Sequence, residues 1–392
     1  MKKLLPLLLA LLLALGGCAA VGRVELPDNE DSGTSDQPAP PEDNNGDTLP
    51  PEETLSPEQQ KAKAIFDGMT VEQKVGQLFL ARCPKASAPE EAAKYALGGY
   101  ILFGRDFEAK TRDQAAADIA ACQQHANVPM LIAVDEEGGT VNRISRYSQF
   151  RSIPFRSPSH LYAEGGFDLI QTDTAEKCRL LSSLGINVNM APVCDITTDP
   201  NGFMYKRSFG VSAEMTSRYV LNVVSVMKAE KMGSVLKHFP GYGDCGDSHT
   251  GVTRDTRPIE TFYSSDLLPF KEGINAGCGA VLVCHNIVEA MDDQNPASLS
   301  PEVHRVLREE LGFDGVAVTD DLYMDAIRDQ YGVGEAAVLA VLAGNDLLCC
   351  TEYDQQVPAV IEAVEQGRIT EDRINESVMR VLMWKISLGI IE

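Results

Sequence analysis

The sequence predicts an α/β fold, a single (β/α)8 barrel of the TIM type, preceded by a signal peptide and a disordered acidic linker. Three observations predict it. Short apolar runs alternate with longer stretches of helical periodicity, as in repeated βα units around a parallel sheet. Eight such runs can be counted, and no Gly-x-Gly-x-x-Gly follows the early ones, so an open dinucleotide-binding sheet has little support. Polar residues also crowd at the carboxyl ends of the runs, where barrels place their chemistry.

The expected strands are Val75–Ala81, Gly99–Phe103, Met130–Val134, Asn187–Ala191, Ser234–Lys237, Ala280–Cys284, Gly315–Thr319 and Asp346–Cys349. Helical patterns follow at Gln114–Gln124, Ala213–Glu230, Pro301–Glu310 and Gln356–Glu365, and an amphipathic helix over Thr370–Leu388 closes the chain. Ser300-Pro301 is a good helix start, with serine as the cap and proline in the first helical position.

Ahead of the barrel the chain changes character. Lys2 and Lys3 precede an apolar run, Leu4–Leu15, and then Gly16-Gly17-Cys18. A positive start, a short apolar stretch and small residues before a cut site make an export signal, and the run is short for a membrane span of about 20 residues. Leu15-Gly16-Gly17-Cys18 resembles the bacterial lipobox, which implies cleavage before Cys18 and lipidation of its sulfur. Residues 1–17 are then a lipoprotein signal peptide, and the mature protein is expected on the outer face of the cell membrane, held there through the lipid anchor only. An ordinary signal peptide with an incidental cysteine is the alternative. From Val24 to Gln60 there is no lysine or arginine, while Asp and Glu recur among Pro, Ser, Asn and Gly. Such a segment cannot bury enough surface to offset its ordering entropy, so residues 18–58 are expected to be a solvated spacer. A coil of about 40 residues spans roughly 35 Å. Residues 59–392 remain for one catalytic domain.

The net charge of −23 argues against nucleic acid or an anionic lipid surface as partner. Beyond Cys18 there are nine cysteines, with no C-x-x-C pair and mostly in apolar runs, so buried thiols are expected rather than a disulfide frame or a zinc site.

The strand endings hold Asp135 and Glu137, Asp195, Lys237 and His238, His285, and Asp320 with Asp321. Breaking a glycosidic bond with retention needs a nucleophile on one face and a proton donor near the leaving oxygen. Asp320, delivered by the rigid run Val316–Thr319, is the nucleophile candidate, with a helix cap as its ordinary alternative. Asp321 alternates to the other side and suits a scaffold role. The stretch from Lys237 to His249 contains three glycines and a proline and reads as a loop. Within it Asp247 can fix the tautomer of His249 and support its charged form. A solvated surface histidine is the alternative.

Lys-His-Phe-Pro-Gly-x-Gly-Asp at 237–244, with Asp-Ser-His at 247–249, resembles the β-N-acetylglucosaminidase branch of family 3 glycoside hydrolases. Asp135–Arg143 is similar to that family's Asp-x-Glu-Gly-Gly-x-Val-x-Arg. Asn187–Val193, Arg207–Gly210, Pro296–Ser300 and Thr319–Met324 match further signatures, in family order across the expected domain. The resemblance implies Asp320 as nucleophile, His249 with Asp247 as the acid/base dyad, and Asp135, Arg143, Arg207, Lys237 and His238 as the grip on the terminal sugar. The substrate class it implies is a terminal β-linked N-acetylglucosaminide, such as a cell-wall fragment, with no cofactor and no metal. For Arg143 and Arg207 a structural ion pair is the ordinary alternative.

Two departures stand out. Tyr242 occupies a position where many relatives carry histidine, and the spacer before Asp247 is one residue shorter than in many. An imidazole donor also carries no negative charge, which leaves phosphate as a conceivable acceptor in place of water. The rival readings are a β-glucosidase or β-xylosidase of the same family, a metal-dependent barrel hydrolase using His238, Asp244, Asp247, His249 and His285, and a non-catalytic wall-binding lipoprotein. Glucosidase relatives usually draw their acid/base from a second domain, whereas the dyad loop here lies inside the barrel.

Overall fold

In the computed structural model, which describes residues 55–210, 212–246 and 251–392, the first element is the helix Pro57–Asp67. Ser56 caps it through a capping box with Gln59, so regular structure already begins just ahead of residue 59. The signal segment, Cys18 and nearly all of the acidic segment lie outside the described residues, as do Asp247 and His249.

Ten strands follow in chain order: β1 (Phe79–Arg82), β2 (Gly99–Leu102), β3 (Leu131–Val134), β4 (Val188–Asn189), β5 (Gly233–Phe239), β6 (Arg254–Asp255), β7 (Ala280–Val283), β8 (Ile287–Val288), β9 (Val316–Thr319) and β10 (Leu348–Cys350). Eight form one parallel sheet in the order β10-β1-β2-β3-β4-β5-β7-β9, and β6 pairs with β8 apart from it. A single parallel bridge, Val318 to Leu347, links the two ends of that order. The result is the expected eight-stranded barrel with helices around it, joined thinly between β9 and β10.

Seven expected strands lie where the sequence placed them, within a few residues at their ends. The first does not. Val75, Gly76 and Gln77 belong to a helix, Val71–Gln77, and the strand starts at Phe79. Thr70 and Gln73 form a second capping box, a local start signal that outweighs the apolar run beginning at Val75. The expected helix Pro301–Glu310 starts at the Ser300 cap but loosens to π geometry from Val306. The last helix spans Glu371–Ser387 behind its Thr370 cap.

Side chains alternate along each strand, and the two core clusters follow that alternation. Leu80, Ile101, Leu131, Ala133, Val235, Leu282, Val316 and Val318 pack inside the barrel with Trp384 of the last helix. Phe79, Tyr100, Ile132, Leu236, Val281, Ala317 and Leu348 belong to the larger cluster between strands and helices. Trp384 needs glycine beneath it: a Cβ at Gly279 would lie 1.9 Å from the indole nitrogen. Nine cysteines lie among the described residues; none is in a disulfide, and all but Cys83 and Cys245 are buried. No helix among the described residues is long and apolar enough to cross a membrane.

Lys385 is buried in the last helix, its Nζ 2.8 Å from Gln77 Oε1. Burial pushes its ammonium down to about 7. In the unfolded chain the same proton is held to about pH 10.4. Between those values the unfolded state binds more protons, so this group makes folding more favourable as pH rises. The expected result is that the melting temperature of the wild type gains on that of Lys385→Met between about pH 7 and pH 9.5. A constant gap across that window would contradict the assignment.

Candidate active site

The alternation that fills the barrel interior also selects what reaches its carboxyl-terminal mouth. Extending the inward series by one inward position gives Arg82 on β1, Phe103 after β2, Asp135 after β3, Lys237 on β5 and Asp320 after β9. All five line one cavity of about 670 Å³. Glu137, Arg143, Phe203, Arg207, His238 and Tyr323 complete much of its wall.

Three consecutive carboxylates after β3 take three different places. Asp135 accepts from Lys237 Nζ at 2.7 Å. Glu136 turns away and is fully buried, accepting the backbone N–H groups of Arg143 and Ile144 at 2.8 Å each and of Ser145 at 3.1 Å. It thereby folds the loop that returns Arg143 to the cavity. That turn needs Gly138, whose φ is +98° and whose Cβ would lie 2.2 Å from Arg156 O. Glu137 comes back to the cavity wall, 2.6 Å from Lys237 Nζ, and receives Arg207 in a two-pronged contact at 3.0 and 2.7 Å.

Glu137 is the electrostatic centre of this group. Burial favours its neutral form, but the charges of Lys237 and Arg207 outweigh that and hold the carboxyl well below the usual range. For Lys237 burial acts in the opposite sense, yet Asp135 and Glu137 raise its ammonium above the ordinary lysine value. Glu137, Lys237 and Arg207 are therefore ionised at neutral pH, with their donors and acceptors already oriented.

His238 is held from both sides. Its Nδ1 lies 2.7 Å from Asp195 Oδ2, and Arg207 Nη2 lies 3.2 Å from its Nε2. Asp195 also accepts the backbone N–H groups of His238 at 3.2 Å and Tyr242 at 2.8 Å. One buried carboxylate thus fixes both the imidazole and the start of the glycine-rich loop. Farther along, Asp244 accepts from the Thr198 and Asp199 backbone N–H groups at 3.1 and 3.2 Å, and from the hydroxyl of Thr197. The loop is therefore anchored up to the point where Asp247 and His249 follow.

Asp320 stands opposite, beyond β9. Its N–H donates to Val283 O at 3.1 Å, and its Oδ1 accepts from the Asp321 N–H at 2.9 Å. It is not a helix cap, because the next helix, Asp325–Tyr331, starts behind Met324. Asp321 takes the scaffold role: its Oδ1 accepts from Tyr323 N at 3.0 Å and its Oδ2 from Thr351 Oγ1 at 2.9 Å. His285 Nε2 lies 3.1 Å from Asp321 O and its Nδ1 2.7 Å from Ser298 Oγ, so this histidine braces the turn behind Asp320.

Asp135, Arg143, Arg207, Lys237, His238 and Asp320 therefore meet in one cavity, while Asp247 and His249 lie outside the described residues. The ion pair considered for Arg207 exists, with Glu137 as its partner, and leaves the guanidinium on the cavity wall. Of the residues a metal reading would use, His238, Asp244 and His285 are engaged as described, and no group of three or more His, Cys, Asp or Glu among the described residues is arranged to hold a metal ion. From the sequence, Glu137 and Asp195 stand out only as rim acids. Their partners are 70 and 43 residues away, beyond the reach of any local pattern. Arg82 escapes the sequence pattern because the apolar run places its strand too early. Alternation from Leu80 would have found it.

Residues 70–384 match the family model described as the glycosyl hydrolase family 3 N terminal domain. β-Hexosaminidase A of Pseudoalteromonas piscicida is 31% identical over 328 residues, which is 76% of this chain and 55% of that protein. β-Hexosaminidase LpqI of Mycobacterium tuberculosis (strain ATCC 25618 / H37Rv) is 33% identical over 320 residues, 76% of this chain and 78% of that protein. The chain thus spans about half the length of the first relative and about three quarters of the second. A solved family 3 β-N-acetylglucosaminidase from Paenibacillus sp. str. FPU-7 superposes with a TM-score of 0.76 at 36% identity, over 82% of this chain and 63% of that one. With its barrel, its rim of paired charges and this match over most of its length, the chain belongs to glycosyl hydrolase family 3.

Proposed function

We propose that this protein is a retaining exo-β-N-acetylglucosaminidase acting on terminal β-linked N-acetylglucosamine, with cell-wall fragments as its natural substrate. The observation that carries the reading is one cavity holding a preset sugar grip, Asp135, Arg207, Lys237 and His238, opposite Asp320. Its size suits a hexosamine with part of its aglycone. The names of the relatives, β-hexosaminidases and a β-N-acetylglucosaminidase, favour an amino sugar over glucose.

In the proposed reaction the sugar hydroxyls donate to Asp135 and accept from Lys237 and Arg207, with His238 holding Arg207 in place, which orients the anomeric carbon toward Asp320. A carboxylate oxygen of Asp320 bonds to that carbon as its bond to the leaving oxygen breaks, and protonated His249 gives its proton to that oxygen. Water then attacks the same carbon and releases Asp320, while His249 takes the proton of the water. Asp247 supports the charged imidazole in both steps. The same reading takes Cys18 as lipidated and residues 19–58 as a spacer that holds the barrel away from the outer face of the membrane.

The test compares aryl β-N-acetylglucosaminide with aryl β-glucoside. Cleavage of the first alone is expected, with β-N-acetylglucosamine as first product. Preference for the glucoside would move the protein to the glucosidase branch. Sugar 1-phosphate formed in phosphate buffer would make it a phosphorylase.

A further inference from the structure

We propose that Arg257 is a positioning residue for proton transfer, fixing the glycine-rich loop that runs from Lys237 toward His249. This rests on the glycosidase reading above and adds to it a residue that stands outside the wall of the active-site cavity.

Arg257 joins the loop to two buried carboxylates. Its Nη2 lies 2.7 Å from Asp255 Oδ2 and its Nε 3.0 Å from both oxygens of that carboxylate, while its Nη1 lies 2.9 Å from Asp266 Oδ1. Nη2 also donates to Gly241 O at 3.3 Å, and the centre of the Phe262 ring lies 4.6 Å from the guanidinium carbon. Asp255 and Asp266 are almost wholly buried, and a buried carboxylate is costly unless it is paired. A guanidinium held at several points is fixed in direction as well as in distance. The loop backbone is shaped to that head group: a Cβ at Gly243 would lie 2.5 Å from the guanidinium carbon, and one at Gly241 2.6 Å from Asp266 Oδ1. Both glycines have positive φ, +55° at Gly243 and +124° at Gly241, so neither position takes another residue without strain.

The elements to which Arg257 ties the loop are themselves fixed. Asp255 lies on β6, which pairs with β8, and the N–H groups of Ile287 and Glu289 donate to Thr253 O and Asp255 O at 2.9 and 3.0 Å. Asp266 directly precedes the helix Leu267–Asn275, whose Phe270 packs edge-on against Phe239 of β5. Asp195 and Asp244 hold the loop at Tyr242 N and at residue 244 itself, and Arg257 holds its backbone at 241 and 243. Asp247 and His249 follow Gly243 by four and six residues. A proton donor works only within hydrogen-bond reach of the leaving oxygen, and a misplacement of about 1 Å can cost about a hundredfold in rate. A shift of the loop at Gly241 and Gly243 therefore acts on proton transfer, while Asp320 and the cations bound to Glu137 keep their own partners.

The test compares two aryl β-N-acetylglucosaminides: phenyl, whose leaving oxygen needs a proton, and dinitrophenyl, whose phenolate is stable enough to depart without one. The quantity to read is kcat/KM, which covers the steps up to loss of the aglycone. In Arg257→Gln it is expected to fall about a hundredfold on the phenyl substrate, the scale of general acid catalysis, and by less than about threefold on the dinitrophenyl substrate. An equal loss on both substrates is what a damaged fold gives, and it overturns the proposal, as does an unchanged rate on the phenyl substrate. Gly243→Ala tests the same contact from the loop side, because the added methyl must displace the guanidinium or the backbone. It should show the same selective loss, and it decides the matter if Arg257→Gln does not fold; an equal loss on both substrates, or none, overturns the proposal. A wild type that cleaves neither substrate defeats the glycosidase reading itself, whereas a wild type that cleaves both, with variants that lose both alike, defeats only the role of Arg257.

Discussion

Asp320→Ala is expected to lower kcat on an aryl β-N-acetylglucosaminide by four or more orders of magnitude, with a much smaller change in KM. Removing a nucleophile from an enzyme that works through a covalent intermediate typically costs that much. The change should act on chemistry more than on binding, because the groups that grip the sugar are tied to one another and not to Asp320: Lys237 to Asp135 and Glu137, and Arg207 to Glu137. Nor should it unfold the turn, since the Asp320 N–H still reaches Val283 O and Asp321 keeps Tyr323 N and Thr351 Oγ1. Two readouts distinguish a lost nucleophile from a damaged fold. Azide should restore turnover in the variant and yield the glycosyl azide of opposite anomeric configuration. A slow fluorinated glycosyl donor should label the wild type on the peptide containing Asp320. Residual activity above about one hundredth of wild type, or a label elsewhere, would remove Asp320 from the nucleophile role.

The largest loss of stability is expected from Asp346→Ala, at about 3–5 kcal/mol in urea denaturation. Asp346 precedes β10 at the seam where the barrel closes through one bridge. It is fully buried and binds across that seam in both directions: its N–H donates to Ala317 O at 2.8 Å, and its Oδ2 accepts from Ala317 N at 3.0 Å. Ser377 Oγ donates to it at 2.7 Å, Arg380 lies 3.1 Å away and Arg373 3.4 Å, and Arg308 closes the other side. Deleting the carboxylate leaves three guanidiniums facing one another beside the joint between β9 and β10. Removing one of the three should matter far less. Arg380→Ala, with its side chain 29% exposed, is expected to cost no more than about 1 kcal/mol. A similar loss from both variants would show that Asp346 does not close the seam.

Much of this could be read along the chain. The βα alternation placed the barrel, and the period of two within a strand decided which side chains reach the mouth. Val316 and Val318 point Asp320 inward by the same alternation that sends Asp321 outward. Where a local start signal competed with an apolar run, as at Thr70-Val71-Glu72-Gln73, apolarity alone misplaced the first strand and hid Arg82.

Which charges meet was not legible in this way. Asp135, Glu136 and Glu137 are chemically alike and adjacent, yet one holds a lysine, one folds a loop and one joins Arg207 to Lys237. Asp346 lies in the sequence as one acid at the start of an apolar run, and only closure of the barrel brings three arginines to it. Alternation and caps depend on neighbours a few residues apart, so they are written in the sequence itself. Ion pairing depends on distance in space, and here the partners are 27 to 102 residues apart until the strands close around them.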